Sequence, residues 1–380
     1  MAKLKRLNIK NNERRLVSVS TAEREAILDQ GSKSERDKVA RQNAKSRPES
    51  ERSLRRRPDR IKKYVIKYLD DYIFDEFSDT YLKKAGIAEF MKDVPIPLRR
   101  EDLEGFKSEK GLSVNILAEG MVRIIGIDPN FRYTDAYLKY IEKMLGKKSY
   151  EFLTKEGRRE AAKGEYDAAL IHYRAALVIK SDDMAAMYGY ARTCRALYNE
   201  GEDETYIGEF KAEALEYFEM LTELHPRYGQ GWYYLGYLYL NMGLYTKAYL
   251  AWESFLPKAR AQKDRREIKH RMEQIRKPME IERGYNAVLS GRWQEGIIIL
   301  EPFTGSVYKD WWPLWYYLGE SYLNTDRTDE AEDAFKKAIR LNASHIESME
   351  SLIEIYSSQG KQELVNKYVN KIKLVKSQLK

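Results

Sequence analysis

The side chains able to do chemistry in this 380-residue chain are few and far apart. Its histidines, His172, His225, His270 and His345, stand tens of residues from one another, and Cys194 is the only cysteine. A metal centre needs several such ligands converging, so a cysteine-built zinc or iron–sulfur site and an intramolecular disulfide are excluded. No glycine-rich phosphate loop, nucleophile elbow or His-Glu-x-x-His pattern occurs. Asp182-Asp183 and the Glu200–Asp203 acids fall in expected loops with no base beside them. The sequence reads as that of a non-enzyme, with no cofactor and no metal.

One cluster offers a different chemistry. Arg52, Arg55, Arg56, Arg57 and Arg60 crowd five guanidinium groups together. Such density suits phosphate or another anionic partner, because each phosphate neutralised releases counterions. Glu49, Glu51 and Asp59 dilute the field, and no aromatic ring lies nearby to stack on bases. A solvating tail is the favoured reading, and nucleic acid stays open as a partner through residues 1–60.

The elements that position these groups follow from charge and hydropathy. Residues 1–60 hold 18 Lys and Arg against 9 Asp and Glu, while the other 320 residues hold 49 against 50. The whole excess of the +8 net charge therefore sits in the first sixth of the chain. That segment has no aromatic residue and few aliphatic ones, so it cannot offset its ordering entropy and is expected to be disordered alone. Ser20-Thr21-Ala22-Glu23 is a capping box opening a helix that Gly31 would end, too short to persist without a partner. The start, Met1 to Arg6, is basic with no apolar core after it, and no stretch reaches the roughly 20 apolar residues of a membrane span. A cytoplasmic protein without membrane insertion is expected.

Composition changes at Ile61. Ile61, Val65, Tyr68, Leu69, Tyr72, Ile73 and Phe77 recur at spacings of three and four, which predicts one helix over 59–85 stopped by Gly86. Pro95 and Pro97 force an extended connection. Ser113 is expected to cap a helix ending at Gly126, and Thr134 a second one ending at Gly146. Together these predict a small all-helical unit over 61–149. The Leu117–Asp128 stretch, with two helices joined by a short Gly-Ile-Asp-Pro-Asn turn, invites comparison with a helix-turn-helix DNA reader. The following helix, however, carries Tyr133, Tyr137, Lys139 and Tyr140 rather than Arg, Asn or Gln for base edges, so a structural hairpin is expected.

Periodicity dominates beyond residue 150. Trp232, Leu235, Gly236 and Tyr239 recur at the same spacing as Trp315, Leu318, Gly319 and Tyr322. Gly243, Tyr245, Ala248 and Trp252 follow the first set; Asp326, Thr328, Ala331 and Phe335 follow the second in register. This resembles the tetratricopeptide repeat, a 34-residue helical hairpin. Weaker copies surround these two. Gly157, Ala191, Gly236, Gly284, Gly319 and Ile353 take the small-residue position, at intervals of 34, 45, 48, 35 and 34. About six repeats thus fill 150–380. The first excess predicts a longer turn at 199–209. The second, at 257–277, predicts either a lengthened helix after Trp252 or an added helical turn.

The resemblance implies an all-α fold: a right-handed superhelical solenoid of helix-turn-helix repeats, preceded by the small helical unit and the basic tail. It implies that first helices line a concave groove for a peptide or protein segment, making the chain an adaptor or scaffold. On that face it places Arg158, Tyr188, Arg192, Arg195, Tyr233, Tyr237, Asn241, Tyr285, Tyr316, Glu320 and Asn324. Several of these tyrosines could instead pack against neighbouring helices. Family members that hold a chaperone's terminal carboxylate use paired Lys and Asn. Here those positions carry Thr154, Arg158, Tyr188, Arg192, Tyr233 and Tyr237, which argues against that use. The alternative is a peptide-sensing or nucleic-acid-associated regulator using the tail and the helical unit, a similarity of architecture only.

Overall fold

The computed structural model describes residues 53–102 and 113–378. The expectations of disorder before residue 53 and of a helix after Ser20 lie outside them, as does Arg52. The chain divides into two compact units, one running to Met272 and the other beginning at Glu273.

In the unit ending at Met272, the predicted single helix over 59–85 is replaced by four short pieces. These are α1 (Lys62–Val65), a 3-10 stretch (Ile66–Asp71), strand β1 (Tyr72–Asp75) and α2 (Asp79–Ala85), which Gly86 does end. β1 pairs antiparallel with β2 (Ile96–Arg99), Tyr72 opposite Arg99 and Asp75 opposite Ile96. The aromatic and β-branched run Tyr72-Ile73-Phe74 suits a pleated strand, and Pro95 and Pro97 hold its partner extended. The small unit is therefore mixed, with α3 (Ala88–Met91) between the strands and α4 (Val114–Ile127) and α5 (Thr134–Leu145) after them. Ser113 caps α4 as expected, accepting from the Ile116 amide at 3.3 Å. α4 runs past Gly126 to Ile127, because Gly126 serves a close crossing with the Ile171 backbone rather than a stop. Thr134 is the buried first residue of α5 and not its cap.

Three hairpins follow: α6 (Ser149–Lys163) with α7 (Tyr166–Ile179), α8 (Met184–Glu200) with α9 (Glu204–Leu224), and α10 (Gly229–Asn241) with α11 (Tyr245–Phe255). Each helix packs on the next, so the apolar stripe that one hairpin cannot bury alone is covered by its neighbour. The excess at 199–209 does not lengthen the turn. It extends both helices instead, leaving only residues 201–203 between them, where Asp203 caps α9 by accepting from the Tyr206 amide at 2.7 Å. The excess at 257–277 forms a separate helix, α12 (Gln262–Gln274), rather than prolonging α11.

Residues 53–60, expected to be part of the tail, belong to the fold. Leu54 and Ile61 are fully buried. Between them Asp59 pairs with Arg174, whose side chain has no exposure, through Nη1 at 3.0 Å and Nη2 at 2.5 Å. The Arg174 Nε donates to the Gly126 carbonyl at 2.6 Å, so every face of this buried cation is answered. Beside it Arg57 reaches Glu213 at 2.6 Å and Glu216 at 2.7 Å, and Arg60 reaches Glu216 at 3.1 Å. Glu213 also accepts from Tyr190 Oη at 2.8 Å, next to the buried Cys194.

The unit beginning at Glu273 holds three more hairpins: α13 (Arg276–Leu289) with α14 (Trp293–Leu300), α15 (Trp312–Leu323) with α16 (Thr328–Leu341), and α17 (Ile346–Ser358) with α18 (Gln362–Gln378). α14 stops early because Pro302 follows it in a 3-10 turn. A single core of Leu314, Leu318, Phe335, Leu352 and their neighbours joins the six helices.

Candidate partner-binding cleft

Two glycines shape a cleft in the unit ending at Met272. A Cβ on Gly157 of α6 would lie 3.0 Å from the Tyr173 ring, and one on Gly189 of α8 would lie 2.3 Å from it. Tyr173, on α7, is thus wedged between two first helices and forms the floor of the gap. Asp183 starts α8 by accepting from the Ala186 amide at 2.8 Å, which aims Met184, Ala185 and Tyr188 at that gap. The resulting cavity of about 410 Å³ is walled by Arg158, Tyr173, Tyr188, Arg192 and Tyr228, with small alanines between them.

The polar groups are oriented by rings. The Arg192 guanidinium lies 5.7 Å from the Tyr188 ring centre and 5.3 Å from that of Tyr234. Tyr188 meets Tyr228 edge-on at 5.2 Å. Burial pushes the hydroxyls of Tyr173, Tyr188 and Tyr228 above their ordinary value, so all three remain neutral donors at physiological pH. Arg158 and Arg192 are both exposed, and among the described residues neither has a carboxylate partner. Chemically this is an aromatic slot with two unneutralised cations at its mouth.

The other expected groove residues are placed differently. Arg195 shares α8 but turns away from the cleft, its guanidinium 5.4 Å from the Tyr234 ring. Tyr233 and Tyr237 on α10 both donate to Glu267 of α12, Tyr233 at 3.3 Å. Asn241 is exposed at the end of α10, where its carbonyl accepts from Lys211.

In the unit beginning at Glu273, Tyr285 stacks on Tyr317 at 5.3 Å, and Tyr316 lies between Tyr317 and His345. Glu320 accepts from Ser351 Oγ at 3.0 Å, and burial raises its carboxyl above the ordinary range. Asn324 donates back to the Glu320 carbonyl. These four are engaged by their own helices and their neighbours.

Of the basic cluster, Arg55, Arg57 and Arg60 are ion-paired internally, Arg55 with Asp135 at 2.6 Å, while Arg56 is exposed. Charge read as that of a solvating tail, with an anionic partner as the alternative, instead ties residues 53–60 to α5 and α9. Sequence reasoning missed Tyr173, Tyr228 and Tyr234. Tyr234 and Tyr228 lie within a few residues of predicted positions, and a finer register on α10 would have found the first. Tyr228 precedes its helix, where periodicity carries no signal.

Among the described residues no helix is long and apolar enough to cross a membrane, and no three His, Cys, Asp or Glu side chains are grouped to hold a metal ion.

The tetratricopeptide repeat family matches residues 198–262 and 312–345. Among curated proteins none matches the chain. The TPR domain of P58(IPK) is similar at 19% identity over 59% of this chain and 59% of its own length, TM-score 0.33. The chain thus spans under two thirds of that structure. YrrB, titled a TPR protein with an unusual peptide-binding site, is similar at 15% identity over 62% of this chain and 98% of its own, TM-score 0.29. A tetratricopeptide repeat protein from Parabacteroides merdae aligns at 16% identity over 72% and 91%, TM-score 0.28. The repeated Trp-Leu-Gly-Tyr spacing, the stacked hairpins and the two family matches agree: the chain carries tetratricopeptide repeats, the helical units of a protein-interaction fold.

Proposed function

We propose that the cleft between α6 and α8 binds an acidic peptide segment of a partner protein, so that the chain acts as an adaptor. The observation carrying this reading is the pair of exposed guanidinium groups of Arg158 and Arg192, without a carboxylate partner among the described residues, at the mouth of a tyrosine-walled slot. Arginine and tyrosine are the side chains most able to anchor a partner, one by charge-assisted hydrogen bonds and the other by rigid amphipathic area. The alanines between the wall residues favour small side chains between the acids. The internal pairing of Arg55, Arg57 and Arg60 leaves the nucleic-acid alternative without support from these residues.

Fluorescence anisotropy with a labelled (Glu-Ala)5 peptide tests this on the full chain. The Arg158→Ala/Arg192→Ala double variant should lose affinity by about tenfold or more, roughly 1.4 kcal/mol, with an unchanged melting midpoint. Equal affinity of wild type and double variant, or equal binding of (Lys-Ala)5, defeats the reading.

A further inference from the structure

The inserted helix α12 has little of its own to hold it. Of its 13 residues only Ile268 and Met272 are buried, and the remainder is almost wholly polar. On its own, a helix of that length is marginal in water. Among its polar contacts is Glu267, whose carboxylate accepts from both Tyr233 and Tyr237, and Arg271 one turn on also meets the Tyr237 hydroxyl.

The tyrosines, by contrast, are set in place without α12. Tyr233 packs edge-on against Phe255 at 5.3 Å, and Tyr237 against Trp252 at 5.1 Å. Both aromatic partners are buried residues of α11. Burial, and then Glu267, raise the Tyr237 hydroxyl above its ordinary value, which keeps it a donor. Two phenol donors aimed at one carboxylate form a preorganised receptor for that group, because the rings need not move to release one carboxylate and take another.

We propose that Tyr233 and Tyr237 are a carboxylate-binding pair for an acidic partner segment, and that Glu267 is an internal stand-in which such a segment displaces. α12 then acts as a competitor: a peptide reaching the third repeat must outbid Glu267 and free the helix. The identity of the displacing ligand rests on the acidic-peptide reading above, whereas the hold of Glu267 on α12 does not.

Hydrogen exchange of the full chain, read by mass spectrometry with and without (Glu-Ala)5, separates the two. Saturating peptide should protect residues 184–196 and speed exchange over 262–272 by about tenfold. Glu267→Ala should show the fast α12 exchange with no peptide present and bind the peptide about threefold tighter. Adding Tyr233→Phe and Tyr237→Phe, which keep the rings, should cancel that gain. Protection at 184–196 with unchanged exchange in α12 overturns the inference, as does a Glu267→Ala helix as slow to exchange as wild type. Absence of protection at 184–196 overturns the acidic-peptide reading instead, and the peptide-free variant still decides whether Glu267 holds α12.

Discussion

The first helices of the first two repeats and that of the third carry the same kinds of residue, yet these are left in opposite states. Around α6 and α8, Arg158 and Arg192 face solvent beside Tyr188 and Tyr228. On α10, Tyr233 and Tyr237 have their hydroxyls taken by Glu267. The difference lies in the connection that follows each hairpin. Residues 180–183 and 225–228 are short links, whereas the third hairpin is followed by 13 residues of helix. An added segment after a repeat thus decides whether that repeat's tyrosines line an open cleft or are taken by the chain itself.

The comparison can be broken hardest from behind the open cleft. Arg174 follows the floor residue Tyr173 on α7 and binds Asp59. Arg174→Ala should cost about 3–5 kcal/mol, since it leaves the Asp59 carboxylate without its partner, and denaturant unfolding measures this. Next comes the cleft itself. Gly189→Val forces a side chain into the Tyr173 ring and should cost about 1–3 kcal/mol while abolishing peptide binding, with α12 exchange unchanged. Full peptide binding by a folded Gly189→Val protein would place the ligand elsewhere.

Acid sharpens the same point. Burial alone would raise the Asp59 carboxyl, but the hydrogen bonds and charge of Arg174 outweigh it and hold the group below its ordinary 3.8. Its stabilising contribution is complete above that pH and is lost as pH falls further through the lowered value. Wild type should therefore lose stability below pH 3.8 more steeply than Asp59→Asn. The smallest effect is expected from Arg55→Ala. Its partner Asp135 is 74% exposed, so the loss should stay under about 1 kcal/mol in the same unfolding assay.

How much of this was legible depends on how local the cause is. The Trp232 and Trp315 sets revealed α10 and α15, because a close-packed hairpin needs small and large residues at constant spacing. The resemblance put Arg158, Tyr188 and Arg192 on one face, and the three line one cavity. β1 was read as helix because its partner strand lies some twenty residues on, and alternation over four residues is weaker than a longer helical stripe. The arginines of residues 53–60 looked like tail because their carboxylate partners lie as many as 156 residues away. The 48-residue interval announced extra chain near 257–277, but length alone does not say that Glu267 would reach two tyrosines.

Cys194 gives the buried ionic network a native reporter. It is the chain's only thiol, has no exposure, and burial followed by the Glu213 charge pushes its ionisation well up. A thiol reagent added to the intact protein must therefore wait for α8 and α9 to part. The labelling rate of an unmodified sample clocks how often that region breathes, with no engineered tag and no ligand required.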